Sequence, residues 1–202
     1  MNPQTEAPST AAPSPVMIDS EPVTPLTLVL GGGCFWCTEA VFLRVRGVLD
    51  VESGYANGDA RRYSRPSYDQ VCTGDTGYNE VVKLVYDPDR VSTGELLEVF
   101  FAIHDPTTLN RQGNDVGSQY RSGIYFTTPD QQVLAAAMVH DMNLRGEWGS
   151  PVVTEVLPLD HYCAAEAYHQ NYFAQHPYQG YCAMVAAPKV AKFRDLFPEL
   201  DK

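Results

Sequence analysis

With 202 residues, 14 basic against 25 acidic side chains and a formal charge of −11, the chain can bury roughly 70% of the surface its unfolded form exposes, and it is a poor match for nucleic acid or an anionic membrane. No apolar run approaches the roughly 20 residues of a membrane span, and the N-terminus lacks the basic and apolar blocks of a signal peptide. Five cysteines, an odd number, read as reactive or buried thiols rather than a disulfide framework, in a cytoplasmic, monomeric protein acting on a small molecule or a protein.

Residues 1–25 are rich in Pro, Ser, Thr and Ala and nearly free of large apolar side chains, which predicts a disordered tail. Residues 26–202 read as one domain, since periodic segments follow one another without a second linker. Leu26–Leu30 is a short apolar strand, Gly31–Gly33 a turn, and Cys34–Arg46 a helix stopped by a left-handed Gly47. Val48–Tyr55 follows as a strand. The polar stretch Ala56–Asn79 is too long for a mere connector and reads as a functional or mobile loop. Val81–Tyr86 alternates as a strand, and Ser92-x-x-Glu95 is a capping box opening a helix with Leu96, Leu97, Phe100 and Phe101 on one face.

Arg121–Phe126 is the next strand, after which Thr128, Pro129 and Gln131 agree on the start of a helix that runs to Arg145 and ends at Gly146. Val152–Leu157 is a further strand and Asp160–Ala174 a helix. The first six elements, β-α-β-β-α-β, predict an α+β fold: a two-layer, ferredoxin-like split βαβ sheet with packed helices.

The segment Leu28–Phe42, LVLGGGCFWCTEAVF, concentrates the chemistry. A thiol is a nucleophile only as thiolate, and the unpaired N–H groups of a helix N-terminus favour that form, so Cys34, where the glycine turn meets the helix, reads as a reactive thiol with a lowered pKa. The glycines leave its sulfur approachable. Phe35 and Trp36 cannot face the same way, so at least one borders a pocket. Cys37 shares the face of Cys34 near the end of the first turn. Glu39 reads as a helix-dipole carboxylate rather than an acid catalyst. Three readings of the pair stay open at this level: a single reactive thiol, a thioredoxin-type C-x-x-C, or half of a zinc site. Against the second, Trp36 precedes the second cysteine rather than the first; against the third, no second C-x-x-C or H-x₃₋₅-H pair accompanies it.

Gly33-Cys34-Phe35-Trp36-Cys37-Thr38-Glu39, then Gly54-Tyr55, PSYDQVCTGDTGYNE from Pro66, HDPTTLNRQGNDVGSQYRSGIYF from His104 and AEAYHQNYF from Ala165 resemble the peptide methionine sulfoxide reductase A family over about residues 26–185. The resemblance implies a reductase domain in which Cys34 attacks the sulfur of methionine S-sulfoxide, free or in oxidised proteins. Phe35 and Trp36 then match the aromatics enclosing the methyl group. Glu80 matches the carboxyl that supplies a proton to the sulfoxide oxygen, and Tyr68, Asp115 and Tyr120 match the other polar residues of the pocket. It further implies a sulfenic acid on Cys34, resolved as a disulfide by a cysteine near the C-terminus, here Cys182 in the glycine-containing PYQGYCAMV, and recycling by thioredoxin or a similar dithiol. No cofactor or metal is expected, and the C-terminal segment carrying Cys182 is expected to be mobile.

The chemistry itself requires such a set, because a sulfoxide is a poor electrophile unless its oxygen is protonated as the thiolate attacks. The chain departs from many members in having Cys37 after Trp36, Tyr78 two before Glu80, and no cysteine beyond Cys182. Cys37 therefore competes as resolver. On a regular helix, residues at i and i+3 hold their Cβ atoms ~5–6 Å apart, beyond the ~3.8 Å of a relaxed disulfide, which favours Cys182. Cys72 and Cys163 are expected to be buried and inert.

Overall fold

Alternation along the strands decides which way the sheet faces. In the computed structural model, which describes residues 24–202, Leu26–Gly32 (β1) sends Leu28 and Leu30 to one side and Val29 to the other. In Asn79–Tyr86 (β3), Val82, Leu84 and Tyr86 join Leu28 and Leu30, while Val81 joins Val29. The tail expected over residues 1–25 lies outside the described residues up to residue 23.

The remaining elements are α1 (Phe35–Phe42), β2 (Val48–Ala56), α2 (Tyr68–Cys72), α3 (Thr93–Ile103), a small hairpin of β4 (Arg111–Gln112) and β5 (Asp115–Val116), β6 (Ser122–Phe126), α4 (Pro129–Arg145), β7 (Glu155–Pro158), β8 (Tyr162–Ala164), α5 (Tyr172–Gln175) and α6 (Ala187–Leu196). The main sheet has the order β7-β6-β1-β3-β2-β8. Its middle four strands are antiparallel neighbours, as the β-α-β-β-α-β order anticipates for a split βαβ sheet. The edges extend it: β7 pairs parallel with β6 after the α4 crossover, and β8 pairs antiparallel with β2.

The helices supply the main core. Leu96, Leu97, Phe100 and Phe101 of α3, Phe35, Val41 and Phe42 of α1, and Phe193 of α6 are buried against the Leu28 and Leu30 face. Each such side chain contributes about 1.5–3 kcal/mol. Capping boxes open α3 (Ser92 with Glu95) and α4 (Thr128 with Gln131), and a third opens α2 (Ser67 with Gln70) inside the stretch expected to be loop.

Two helix expectations fail for tertiary reasons. The first helix ends at Phe42 rather than Arg46, because the chain beyond it is claimed by the C-terminus: Val45 bridges Asp201, Arg46 N–H donates to the Leu200 carbonyl at 2.7 Å, and Arg44 pairs with Asp201 at 3.1 Å. Gly47 does take up the left-handed turn, with φ +88°. The stretch Asp160–Ala174 is not one helix but β8, a short 3₁₀ turn at Ala167–His169 and the start of α5. Asn57 Oδ1 accepts from Asp160 N–H at 2.9 Å, and the Gln170 amide both accepts from Ser53 N–H and donates to its carbonyl, each at 2.9 Å. Extended chain at the sheet edge satisfies these partners; a helix would not.

The cysteine between Pro177 and Val185 was expected in a loop. Instead Cys182–Ala186 forms one turn of π-helix leading into α6, and it packs on α1.

Candidate active site

The site begins where β1 stops. Gly33 has φ +91°, and a Cβ there would fall 2.6 Å from the Gln112 side chain, so glycine is required both for the turn and for the approach of the hairpin. Cys34 follows as the N-cap of α1, with φ −54° and ψ 123°, outside helical geometry. The register pairing Leu30 with Val82 brings Glu80, near the start of β3, level with this turn.

There Phe35 N–H donates to Glu80 Oε2 at 3.2 Å, tying the carboxyl to the residue next to the thiol. Glu80 is 1% exposed, and its Oε1 has no hydrogen-bond partner among the described residues. Burial, with added repulsion from Asp115 and Cys37, outweighs the Phe35 hydrogen bond and pushes the Glu80 pKa up to about 8. The carboxyl thus holds a proton at neutrality and has one oxygen free to donate it.

Cys34 and Cys37, 8% and 1% exposed, sit in one buried cluster with Ala186, flanked by Trp36, Tyr120, Phe173, Tyr181 and Val185. Burial, interaction with Cys37 and the charge of Glu80 push the Cys34 thiol up, whereas a lowered pKa was expected from the helix N-terminus. Desolvation wins because the C-terminal segment covers the sulfur. Cys37 shifts down, chiefly through its interaction with Cys34 and against its own burial, helped by Lys189 and Tyr181. Tyr181 O–H donates to Asp115 Oδ2 at 2.5 Å and stands 3.9 Å from the Cys37 sulfur.

The aromatic residues form the other wall. The Phe35 ring lies 5.9 Å from Tyr55, 6.4 Å from Tyr68 and 5.1 Å from His169. Trp36 stacks on Tyr172 at 3.9 Å and donates from Nε1 to His169 Nδ1 at 3.2 Å. Burial pushes His169 down, which keeps the ring neutral and Nδ1 an acceptor. Glu166 spans the wall from behind, accepting from Tyr68 N–H at 2.8 Å and Tyr55 O–H at 2.9 Å. Burial and the nearby Glu80 raise the hydroxyl pKa values of Tyr68 and Tyr120, so both stay protonated donors.

Cys34, Phe35, Trp36, Tyr68, Glu80, Asp115 and Tyr120 are therefore brought together. Cys182 is fully buried in the turn that packs on α1, where the charge of Cys37 adds to burial in pushing its thiol up. A cavity of about 340 Å³ reaches Cys34 between Gln112, Asp115, Tyr181 and Lys189. Tyr181 and Lys189 carried no signal in the sequence, since only folding of the last segment over α1 brings them to the thiols. Cys72, expected to be buried, is exposed at the end of α2, and Cys163 on the edge strand β8 is half-buried. Among the described residues no group of three His, Cys, Asp or Glu side chains is arranged to hold a metal, and no helix is long and apolar enough to cross a membrane.

Glu39 proves to be neither dipole partner nor acid. Its carboxylate accepts from Asn171 N–H at 2.9 Å and Tyr172 N–H at 3.3 Å, fixing the turn that carries the Trp36 stacking partner. Glu39→Ala removes two hydrogen bonds to a charged acceptor, at a cost of about 2–3 kcal/mol. The expected result is a fall in Tm of roughly 5–10 °C with a changed tryptophan emission. An unchanged Tm would mean that this turn is held by other contacts.

A thiol beside a protonated carboxyl, walled by aromatic rings on a split βαβ sheet, is the equipment of a thiol-dependent reductase. Comparison with known proteins narrows that class. The family model described as peptide methionine sulfoxide reductase matches residues 26–200. The peptide methionine sulfoxide reductase MsrA of Trichodesmium erythraeum is 50% identical over 173 residues, covering 86% of this chain and 96% of that protein. The MsrA of Saccharolobus solfataricus is 49% identical over 170 residues, 84% of this chain and 93% of that one.

Among solved structures, Mxr1 from Saccharomyces cerevisiae in reduced form aligns with a TM-score of 0.74 at 35% identity, over 85% of this chain and 96% of that one. Mxr1 in complex with Trx2 aligns at 0.50 and 25% identity, over 78% and 91%. The chain belongs to the peptide methionine sulfoxide reductase family.

Proposed function

We propose that this chain reduces the S epimer of methionine sulfoxide, free or in oxidised proteins, and so serves protein repair under oxidative stress. The observation that carries this reading is Glu80: a buried carboxyl with its pKa pushed up to about 8, one oxygen held by the amide next to Cys34 and the other unpartnered. A sulfoxide oxygen is the group such a carboxyl suits, since it accepts a proton as its sulfur is attacked.

Phe35 and Trp36 would receive the methyl group, with Tyr68, Tyr120 and Asp115 orienting the polar end. Cys34 attacks the sulfoxide sulfur and Glu80 protonates the oxygen. Methionine leaves, and the oxygen remains on Cys34 as sulfenic acid. For a peptide to enter, Tyr181–Val185 must lift from the thiol. Cys182 travels with that segment and becomes the resolving thiol, giving a disulfide for a dithiol donor. We take that donor to be thioredoxin, a choice supported by the Mxr1–Trx2 complex. Such recycling suits a cytoplasmic setting, where dithiol donors are kept reduced.

The test is a coupled assay with thioredoxin, its reductase and NADPH on each sulfoxide epimer. Turnover of the S epimer alone is expected. Cys182→Ser should still yield about one methionine per enzyme in a single turnover, but lose tenfold or more in thioredoxin-dependent turnover. Full turnover by this variant would remove Cys182 from the cycle, and efficient insulin reduction without sulfoxide activity would sink the whole reading.

A further inference from the structure

Lys83, Lys189, Lys192 and Lys202 are all the lysines of this acidic chain. Lys83 pairs with Glu52, and Lys202 Nζ donates to the Leu43 carbonyl at 2.8 Å. Lys189 and Lys192, both on α6, have no ion-pair partner among the described residues. Three positions apart, they lie on one side of the helix and ~4.5 Å apart along its axis. Lys189 is half-buried and Lys192 exposed.

Two cavities meet at this pair. The one of about 340 Å³ that reaches Cys34 has Gln112 and Lys189 in its wall, and so does a second of about 330 Å³, which continues past Pro188 to Trp148 and Lys192. Gln112, common to both walls, is fixed in place: its Oε1 accepts from Asp105 N–H at 3.1 Å and its Nε2 donates to the Asp105 carbonyl at 2.9 Å. The charge of Lys189 is felt on both sides, at Cys37 and at His104. Each cavity also holds one carboxylate engaged by neutral donors, Asp115 by the Tyr181 hydroxyl and Asp105 by Thr107 N–H and Oγ1 at 2.9 and 2.6 Å. Two lysines against Asp105 leave the second cavity positive, in a chain whose formal charge is −11.

We propose that the two cavities form one groove for the peptide chain of an oxidised protein, in which Lys189 and Lys192 bind an aspartate or glutamate side chain close in sequence to the methionine sulfoxide. This rests on the reductase reading and deepens it by naming the sequences the site favours. A round cavity of 340 Å³ is about 9 Å across, and an extended chain advances about 3.3 Å per residue, so with the sulfoxide at Cys34 the acidic residue stands about two to four positions away. Trp148 offers an apolar wall beside the charges. Cys182 is in neither wall, so the groove serves the thiol that meets the substrate rather than the one that meets the dithiol donor. Charge complementarity of this kind selects among partners more than it tightens any one of them.

The test uses the full chain recycled by dithiothreitol, with short synthetic peptides that each carry a single methionine S-sulfoxide. One set has Glu three positions from the sulfoxide, on each side in turn; a second has Gln in its place; a third has the Glu moved to the far end of the peptide. The expected result for the wild type is a kcat/KM about fivefold higher for the near-Glu peptide of one side than for its Gln and far-Glu counterparts, with the gain in KM. The preference should vanish when Lys189→Gln and Lys192→Gln are combined, and invert in Lys192→Glu. Each reading is a ratio within one protein, so a change in the amount of folded enzyme does not imitate it. Equal kcat/KM on all peptides, equal gains from near and far Glu, or a preference that both variants retain would overturn the groove and leave the reductase intact. Equal kcat/KM on all peptides together with a raised KM for thioredoxin in Lys192→Glu would give the lysines to the donor instead. Reduction of none of the peptides would remove the reductase reading and the groove together.

Discussion

Replacing Cys34 by serine is expected to bring methionine formation to background, a loss of at least about 10⁴-fold, without weakening the fold. Serine keeps the size and position of the side chain but offers an alcohol in place of a thiol, and nothing beside it serves as a base strong enough to ionise it. Structurally the change should help. Cys34 is the N-cap of α1 and makes no side-chain capping hydrogen bond, whereas serine is among the favoured residues at that position, where capping is worth about 0.5–2 kcal/mol. The pair of measurements is therefore single-turnover methionine yield and Tm. Lost yield with an equal or higher Tm marks Cys34 as the nucleophile. Retained yield above about one per cent would assign the attack to another thiol, and lost yield with a collapsed Tm would leave the residue a structural one.

The first part of the fold is written locally and the last part is not. β1, β3 and α3 follow from alternation, a glycine turn and a capping box, all read within a few residues of one another. The stretch Asp160–Ala174 fails because its conformation is set by partners a hundred residues away: Asn57 holds Asp160, Ser53 takes the Gln170 amide, and Glu39 holds Asn171 in a left-handed conformation with φ +51°. No helix propensity weighs against that many fixed hydrogen bonds. The end of α1 fails for the same reason, since its partner is the C-terminus itself.

The site divides similarly. Cys34 was legible from glycine, helix start and thiol in one segment. Glu80 reaches it only because β3 pairs with β1, so without the family resemblance it reads as a solvated edge residue. Tyr68 likewise comes from the connection between β2 and β3, and Asp115 and Tyr120 from the stretch between α3 and β6. The Cys34 shift runs opposite to the sequence expectation because a sequence displays the helix N-terminus but not the residues that cover it. Tyr181 and Val185 pack against the thiol cluster, and in that setting desolvation exceeds the favourable partial charge of the helix end.

Glu80→Gln carries the second large effect, and it separates activity from stability. Glutamine keeps an acceptor for the Phe35 amide and a donor toward the pocket, but it has no proton to give up, so reduction at pH 7 should fall by about 10²–10³-fold. The wild-type carboxyl, with its pKa pushed up to about 8, is protonated below that pH and loses its proton above it. Wild-type reduction should therefore decline through about pH 8 while that of the variant does not, and the gap between them should narrow there. Stability should move the other way. Between the ordinary value of 4.5 and about 8, folded Glu80 retains a proton that the unfolded chain releases, so native wild type becomes less stable as pH rises across that window. Glutamine removes this burden, and the variant should show a flatter stability curve and an advantage of a few kcal/mol at pH 8. Denaturant melts at pH 5, 6.5 and 8 read the slope directly. Parallel slopes for the two proteins would mean that Glu80 is ionised in the folded state and has no proton to offer a sulfoxide; a flattened slope with lost turnover would show that the carboxyl is kept buried for its proton, at the expense of the fold that holds it.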